Sequence, residues 1–367
     1  MTTETAIKNA TLKIKTFLDE FEGTFPAEAS KDYVYPHQDN VSWTSGFYSG
    51  MLWLCYELTG DPAFKKAAEE HYESHKDRIV NEKSVDHHDI GFLYTLSTVA
   101  QYKVTGDPDA KEISVKAADV LMRRFQKKGG FIQAWGPMDD PDSYRLIVDC
   151  LLNLPLLFWA TEATGDPKYR DAATTHMKTA IRNVIRDDSS TFHTFYFDPE
   201  TGAPLRGVTH QGYADDSCWA RGQAWAVCGL ALCYHYTKDP EILPYYERVT
   251  NYFINHLPAD YVPYWDMIFD ETSGMPRDTS AAAIAICGIY EMEKYHPNAK
   301  HKEAADKMLA SLEENYNTEA LPNCQGLLTD GMYNWNDNPN PECNIWGDYF
   351  YLEALMRAKD PDWKMYF

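Results

Sequence analysis

Two isolated carboxylic acids are the residues of this sequence with the clearest chemical potential. Asp149 interrupts the apolar run L-I-V-D-C-L-L-N-L-P-L-L-F-W and is the only acid between Asp142 and Glu162. An apolar setting raises a carboxyl pKa, as a general acid working near neutral pH requires. The alternative is a structural ion pair with Arg145, four residues earlier on the same predicted helix face. We favour catalysis because isolated acids in apolar helices concentrate at functional sites.

Asp89 is the second candidate acid, in the segment V-D-H-H-D-I-G-F-L-Y beside His87 and His88. A helix N-cap or first-turn acid explains it equally well. The D-H-H-D string also suggests metal ligands, but adjacent side chains do not readily converge on one ion. We therefore expect neither a metal nor a cofactor, and we take Asp89 as a possible partner of Asp149.

The segment from Thr191 to Trp225 holds the densest set of groups that could bind a substrate. They are His193, Gly207, Thr209, His210, Gln211, Trp219, Arg221 and Trp225, and His88, Trp43 and Trp135 join them from other segments. Arg221 and Trp225 share a helix face, where a guanidinium fork could bind a carboxylate beside a flat ring. A single histidine or tryptophan in a loop is more often structural, but this concentration of unlike groups favours a binding site.

The elements that must position these residues are separated by a repeated mark. It reads T-G-D-P at Thr59–Pro62, Thr105–Pro108 and Thr164–Pro167, then T-K-D-P at Thr237–Pro240, with weaker echoes at His296–Pro297 and Ala358–Pro361. Each mark combines a helix C-terminal stop with an Asp that can cap the next helix and a Pro suited to its first turn. Such repetition indicates an array of helical hairpins.

Two kinds of predicted helix alternate between the marks. Segments with one charged face are the predicted outer helices, at 7–21, 63–79, 110–125, 168–185, 242–256 and 299–315. Segments apolar on nearly every side are the predicted inner helices, at 43–58, 89–104, 146–163, 219–236, 279–295 and 345–358. The alternation predicts an all-α protein, an (α/α)6 barrel in one domain over residues 1–367. The long loops open on the rim at the inner-helix N-termini, where we expect a pocket.

Composition limits the function classes that fit this chain. The net charge of −21 comes without a basic stripe, so we expect no nucleic-acid partner. No apolar run is long enough to span a membrane, and the polar N-terminus lacks a signal-peptide core. The eight cysteines include no C-x-x-C pair. We expect reduced thiols, a cytoplasmic location and a monomer or homodimer.

Several segments together resemble the unsaturated glucuronyl hydrolases, and the resemblance spans nearly the whole chain. They are D-H-H-D-I-G-F-L-Y, I-Q-A-W-G-P, D-C-L-L-N-L-P-L-L, S-S-T-F-H-T-F-Y-F-D-P, R-G-V-T-H-Q-G, W-A-R-G-Q-A-W and I-W-G-D-Y-F-Y-L-E-A-L. Members of this family are six-hairpin α/α barrels. The resemblance implies a glycoside hydrolase that releases a terminal 4,5-unsaturated glucuronic acid from lyase-generated glycosaminoglycan oligosaccharides by hydrating the C4=C5 vinyl ether.

The resemblance also implies roles for individual residues. Asp149 matches the general acid/base, and Asp89 matches the second acid. The remaining matches are polar groups (His193 and Gln211), aromatic walls (Trp43, Trp135, Trp219 and Trp225) and substrate contacts (Arg221 and the loop from Gly207 to Thr209). The chain departs from the family in its loop 332–344, which borders the aglycone in the family and here contains Asp337 and Glu342 but no Lys or Arg.

Two other enzyme classes and one binding function remain as alternatives. An unsaturated rhamnogalacturonyl hydrolase would use the same barrel and hydration chemistry on a pectin-derived disaccharide. A sugar 2-epimerase would need two histidines on either side of C2. A carbohydrate-binding or scaffolding ring would tolerate the loss of Asp149.

Overall fold

The computed structural model describes residues 2–367, and helices dominate it. In chain order the α-helices are α1 (Thr3–Glu20), α2 (Ser45–Thr59), α3 (Pro62–Val80), α4 (Ile90–Tyr94), α5 (Ala100–Thr105), α6 (Pro108–Met122), α7 (Cys150–Asn153), α8 (Pro155–Thr164), α9 (Lys168–Asn183), α10 (Ala220–Thr237), α11 (Ile242–Asn255), α12 (Thr279–Glu293), α13 (Ala299–Asn315) and α14 (Ile345–Lys359). A π-helical stretch (Thr95–Val99) joins α4 to α5.

The helices form two concentric layers. The outer layer contains α1, α3, α6, α9, α11 and α13, and the inner layer contains α2, α4 with α5, α7 with α8, α10, α12 and α14. Contacts close the inner layer: α2 packs on α4, α4 on α7, α7 on α10, α10 on α12, α12 on α14, and α14 on α2. The helix α1 also packs on α14. This is an (α/α)6 barrel, and the predicted fold class is confirmed.

The repeated marks act as the sequence predicted. Gly60, Gly106 and Gly165 end inner helices in the left-handed conformation, with φ of 69°, 75° and 78°. A residue without Cβ adopts this conformation without steric cost. Asp61 and Asp107 then accept hydrogen bonds from backbone N–H groups of the helices that follow. Each of the three T-G-D-P marks therefore reverses the chain from an inner helix to an outer one.

Short strands occur in the loops at the other ends of the inner helices. They are β1 (Phe25–Pro26), β2 (His37–Gln38), β3 (Phe125–Gln126), β4 (Phe131–Ile132), β5 (Arg145–Ile147), β6 (Thr194–Phe197) and β7 (Pro204–Val208). The last three form an antiparallel sheet in which Leu146 pairs with Phe195 and Thr194 with Val208. This sheet ties the segment before Asp149 to the loop 186–218.

The predicted inner helix over 146–163 is wrong in its first residues. Leu146 and Ile147 belong to β5, α7 begins at Cys150, and Pro155 opens the separate helix α8. A short continuous apolar run does not distinguish a buried strand from a buried helix. The pairing of Arg145 with Asp149 on one helix face is therefore also wrong, because Arg145 lies in the strand.

Within residues 2–367 we find no helix whose length and apolar character would suffice to span a lipid bilayer.

Candidate active site

A cavity of about 230 Å³ opens at the N-terminal ends of the inner helices. It is lined by Trp43, His88, Asp89, Trp135, Ile147, Asp149, His193, His210, Gln211, Trp219, Arg221, Trp225 and Tyr333. All of the candidate residues from the sequence except Gly207 and Thr209 therefore meet in this one pocket. The described residues also surround a larger cavity of about 1050 Å³ at the opposite end of the barrel, where Glu57, Lys103 and Glu162 are among the lining residues.

The two acids occupy equivalent positions on neighbouring inner helices. Asp89 is the N-cap residue of α4, and Asp149 is the N-cap residue of α7. Neither side chain makes the hydrogen bond to its own helix that an N-cap Asp usually makes. Their side chains are 15% and 19% exposed, so both carboxyl groups face the pocket while largely withdrawn from water.

His88 lies between the two acids. Its Nε2 atom is 3.4 Å from Oδ1 of Asp89 and 3.5 Å from Oδ1 of Asp149. Burial lowers the pKa of His88 to about 4, so the ring is neutral near pH 7. Ligand atoms of the three side chains lie within 4.8 Å of one another, so within residues 2–367 this cluster is also where a metal ion could be held.

The environment drives the pKa values of the two acids in opposite directions. Burial raises the pKa of Asp149 well above its ordinary value, and the charge of Asp89 raises it further. Burial also pushes the pKa of Asp89 upward, but His88, His87 and the side-chain amide of Asn153 outweigh it and leave that pKa below its ordinary value. Two interacting carboxyl groups with separated pKa values are suited to different roles, one as an acid and one as an anion.

Asp149 also has an unused oxygen. Its Oδ1 atom is buried and makes no hydrogen bond to any group in the described part of the chain. An unpaired buried carboxylate oxygen is costly, whereas a protonated carboxyl group in the same place keeps a proton to donate. The geometry therefore agrees with the raised pKa of this group.

Tryptophan rings form the walls of the pocket. The ring of Trp43 donates its Nε1–H to the hydroxyl of Tyr333 at 3.2 Å. Trp135 stacks against the guanidinium of Arg145 at 4.6 Å, which is the contact that this arginine makes instead of an ion pair with Asp149. These partners hold the flat faces in place, and such faces suit the apolar faces of a sugar ring.

The floor of the pocket contains Trp219 and Trp225. Trp219 lies 4.4 Å from the ring of His193, and Trp225 packs on Phe92 at 5.5 Å. Trp225 is only 2% exposed, so it borders the cavity with little more than one edge.

His193 is held in one tautomer by the backbone. Its Nδ1 atom accepts hydrogen bonds from the N–H groups of His210 and Gln211, at 2.9 and 3.0 Å. The ring proton must therefore sit on Nε2. Burial lowers the pKa of His193 well below its ordinary value, so the pocket receives a neutral N–H donor here.

Arg221 is buried, and both of its terminal nitrogens already donate hydrogen bonds. Its Nη1 donates to Asp278 at 2.8 Å, and its Nη2 donates to the side chain of Gln211 at 3.0 Å and to the carbonyl of Tyr333 at 2.6 Å. Asp278 neutralises the charge of the guanidinium, which also stacks on Trp219 at 4.4 Å. Binding of a substrate carboxylate by Arg221 stays a prediction, and it would require competition with these acceptors.

Gly207 and Thr209 lie outside the lining of the pocket. A Cβ atom on Gly207 would come within 2.2 Å of the ring of Phe192, so only glycine fits this place in β7. The Thr209 N–H donates to Asp215 at 2.7 Å, and its hydroxyl accepts the N–H of Gly212 at 2.7 Å. The structure therefore assigns both residues to the loop that presents His210 and Gln211.

Sequence reasoning missed three residues of the site. Tyr333 lines the pocket, Asp278 neutralises Arg221, and Asn153 helps to lower the pKa of Asp89. Asn153 carried a usable signal, because it interrupts the same apolar run that singled out Asp149. Tyr333 and Asp278 gave none, since both lie in loops far along the chain from the two acids.

An (α/α)6 barrel with two carboxyl groups of separated pKa in an aromatic pocket defines a candidate glycoside hydrolase. Residues 14–351 match Glycosyl Hydrolase Family 88, and the chain belongs to this family.

Known relatives agree over nearly the full length. The unsaturated chondroitin disaccharide hydrolase of Streptococcus pneumoniae is 51% identical over 368 residues, covering 98% of this chain and 92% of the relative. The crystal structure of the unsaturated glucuronyl hydrolase from Streptococcus agalactiae superposes with a TM-score of 0.95 at 49% identity, covering 100% of this chain and 94% of that one. A mutant of that enzyme complexed with dGlcA-GalNAc6S has a TM-score of 0.88 at 46% identity, with 100% and 93% covered. The predicted family is confirmed, and the chain is a glycoside hydrolase.

Replacement of Asp149 by Asn should change how stability depends on pH. Because the folded pKa of Asp149 lies above its unfolded value near 4, the native state binds this proton more tightly, and its contribution to stability falls as pH rises above about 4. Asn has no proton to lose. The stability of D149N relative to the wild type should therefore increase with pH, by at most about 1.4 kcal/mol per pH unit, and level off above the native pKa.

Urea unfolding at several pH values measures this difference. Asp142→Asn is the matched control, since Asp142 is an exposed acid in the neighbouring segment. A difference between D149N and the wild type that stays constant from pH 5 to pH 9 would contradict the raised pKa.

Proposed function

We propose that this hydrolase releases the terminal 4,5-unsaturated glucuronic acid from lyase-generated glycosaminoglycan oligosaccharides by hydrating the C4=C5 vinyl ether. One observation carries the proposal: Asp149 and Asp89 both contact the buried His88 in a pocket of about 230 Å³, and the pKa of Asp149 is raised while that of Asp89 is lowered. The activities named for the relatives support the substrate class. Residues 1–367 would form one catalytic domain.

Asp149 serves both proton transfers in this proposal. Its carboxyl group donates a proton to C4 of the unsaturated ring, and positive charge develops at C5 and the ring oxygen. The Asp149 carboxylate then removes a proton from a water molecule that attacks C5. The hemiketal formed at C5 opens, and the remaining saccharide leaves. One residue suffices because it gives its proton before the water must lose one.

The ionised Asp89 supports the cationic stage of this reaction. A fixed negative charge near the ring stabilises developing positive charge and costs no reorganisation at the moment of reaction. Nδ1 of His87 lies 3.3 Å from Oδ2 of Asp89, so this imidazole borders the carboxylate.

The neutral donors of the pocket suit a substrate that carries a carboxylate. His193 offers Nε2–H, Gln211 offers its side-chain amide, and the tryptophan walls offer flat apolar faces. Donors without charge bind an anion without favouring the carboxylate form of Asp149. Arg221 lowers the pKa of Asp149, but burial and the charge of Asp89 outweigh it.

The eight buried cysteines, all with free thiols, support a reducing compartment, and we propose a cytoplasmic location. The expectation of a monomer or homodimer stays a prediction.

Replacement of Asp149 by Asn should lower turnover at least about 10²-fold, because Asn cannot donate a proton to C4. The measurement is the loss of the double-bond absorbance of unsaturated chondroitin and hyaluronan disaccharides, with Asp142→Asn as the control. The wild-type rate should fall at alkaline pH as Asp149 loses its proton. Wild-type turnover by D149N would refute the mechanism, and a strong preference for rhamnogalacturonan disaccharides would assign the enzyme to pectin instead.

A 6-sulfated disaccharide should not be favoured more than about tenfold over its unsulfated analogue. The loop 332–344 contains no Lys or Arg, and its Glu342 already accepts hydrogen bonds from the N–H groups of Asp32 and Tyr33, at 2.9 and 3.1 Å. A sulfate would gain little charge pairing from this loop. The ratio of kcat/KM for the two disaccharides tests this, and a ratio well above tenfold for the sulfated one would contradict it.

Activity should survive metal removal. A cation at His88, Asp89 and Asp149 would bind the ionised form of Asp149 and so remove the proton that the reaction needs. The check is the rate after EDTA treatment and dialysis. Loss of activity that added divalent metal restores would reject the proposed role of Asp149.

A further inference from the structure

Two of the eight cysteines, Cys324 and Cys343, lie in contact with each other. Their Sγ atoms are 3.5 Å apart, and within residues 2–367 no other two thiols share a hydrogen bond. An S–S bond is about 2.0 Å long, so the two sulfurs need to approach by only about 1.5 Å to form one. Both residues lie outside the lining of the active-site pocket, and the proposed reaction uses neither thiol.

Separate backbone contacts hold the two cysteines in this position. The Cys343 N–H donates to Oγ of Ser30 at 3.0 Å, and the Cys343 carbonyl accepts the N–H of the same serine at 2.9 Å. The Cys324 N–H donates to the carbonyl of Leu321 at 3.0 Å. Gly326 makes the close approach possible, since a Cβ atom on it would lie 2.5 Å from Sγ of Cys343. The folded backbone therefore holds the two sulfurs together.

Cys324 is the thiol that a small oxidant in solution reaches most easily. It is 5% exposed, more than any of the other seven cysteines, and residues 321–323 just before it are exposed. The hydrogen bond with Cys343 lowers the pKa of Cys324, whereas burial raises the pKa of core cysteines such as Cys287. Because the thiolate is the form that reacts, Cys324 is a better nucleophile than the core thiols.

We propose that Cys324 and Cys343 form an oxidation site, at which hydrogen peroxide converts the two thiols into a disulfide. The Cys324 thiolate attacks one oxygen of the peroxide, an S–O bond forms as the O–O bond breaks, and the other oxygen leaves as water with the proton that Cys324 lost. The Cys343 sulfur then attacks the sulfur of this sulfenic acid. An S–S bond forms as the S–O bond breaks, and the oxygen leaves as water with the Cys343 proton. Two thiols are oxidised, and one peroxide is reduced to two water molecules.

The disulfide would join the loop 332–344, which contains Cys343, to the turn at Cys324. It would close a ring of the chain that includes Tyr333, a residue of the pocket wall. Such a pair is compatible with the reducing compartment proposed above, since disulfides there are transient or redox-sensing and thiol reductants reverse them. The site would form in the same way whether or not Asp149 is the catalytic acid.

The test is oxidation of the folded chain 1–367, at peroxide doses up to those that fully oxidise free glutathione in the same solution. After removal of the peroxide, the protein is unfolded and its remaining thiols are alkylated and counted. We expect the thiol count to fall from eight by two, and dithiothreitol to restore it. Mass spectrometry of a non-reducing digest should find the peptides of Cys324 and Cys343 joined, with the loss of two hydrogen atoms.

Two serine variants and a matched control separate this pair from the other thiols. Cys324→Ser and Cys343→Ser should each form no disulfide under the same treatment. Cys287→Ser removes a buried thiol outside the pair and should still lose two thiols. Circular dichroism measures whether each variant is folded, and the joined peptide of the unaltered chain decides the question where a variant does not fold.

The joined peptide from the monomeric chain, absent in the serine variants, would support the proposal. Three results would overturn it: a thiol count that stays at eight, a disulfide to another cysteine or to a second chain, or a sulfinic acid on Cys324 without a cross-link.

Discussion

The site depends on two carboxyl groups that each disfavour the ionisation of the other. Asp89 and Asp149 each lie within 3.5 Å of the same buried imidazole, and burial removes the water that would otherwise screen two negative charges. Burial and the charge of Asp89 raise the pKa of Asp149, whose Oδ1 has no hydrogen-bond partner in the described part of the chain, whereas His88, His87 and Asn153 lower the pKa of Asp89. The proton that the proposed reaction needs on Asp149 is thus favoured mainly by burial and then by the charge of Asp89.

The barrel supplies this arrangement through its helix starts. Both acids occupy N-cap positions, yet α4 and α7 are short and the side chains turn inward instead of capping. The antiparallel pairing of β5 with β6 fixes the chain just before Asp149, and the bond from the Val148 N–H to the His193 carbonyl, at 3.0 Å, continues it. A regular long helix over 146–163 would have pointed Asp149 along a helix face. The strand that sequence periodicity missed therefore gives the acid its direction.

The sequence predicted those features that depend on residues close together in the chain. The T-G-D-P marks predicted the helix reversals, because left-handed Gly and capping Asp act within a few residues. Asp149 was predictable because a single acid in an apolar run indicates a functional site. Tyr333 and the Asp278–Arg221 pair were not, since they meet the site only after the ring closes and brings α10, α12 and the loop 332–344 together. The contact of Arg145 with Trp135 could likewise not be predicted from the sequence, because Arg145 lies in a strand where a helix was expected.

The net charge of −21 opposes the binding of an anion, and the proposed substrate is an anion. A free cation in the pocket would attract a carboxylate, but it would also favour ionisation of Asp149. The pocket does contain Arg221, but this guanidinium is paired with Asp278, whose side chain is 0% exposed. What remains for a substrate carboxylate is a set of neutral N–H donors, His193 among them. Binding of the substrate carboxylate by hydrogen bonds, without a net positive charge, keeps Asp149 protonated. The pairing of Arg221 with Asp278 and the neutral state of the imidazoles both contribute to this.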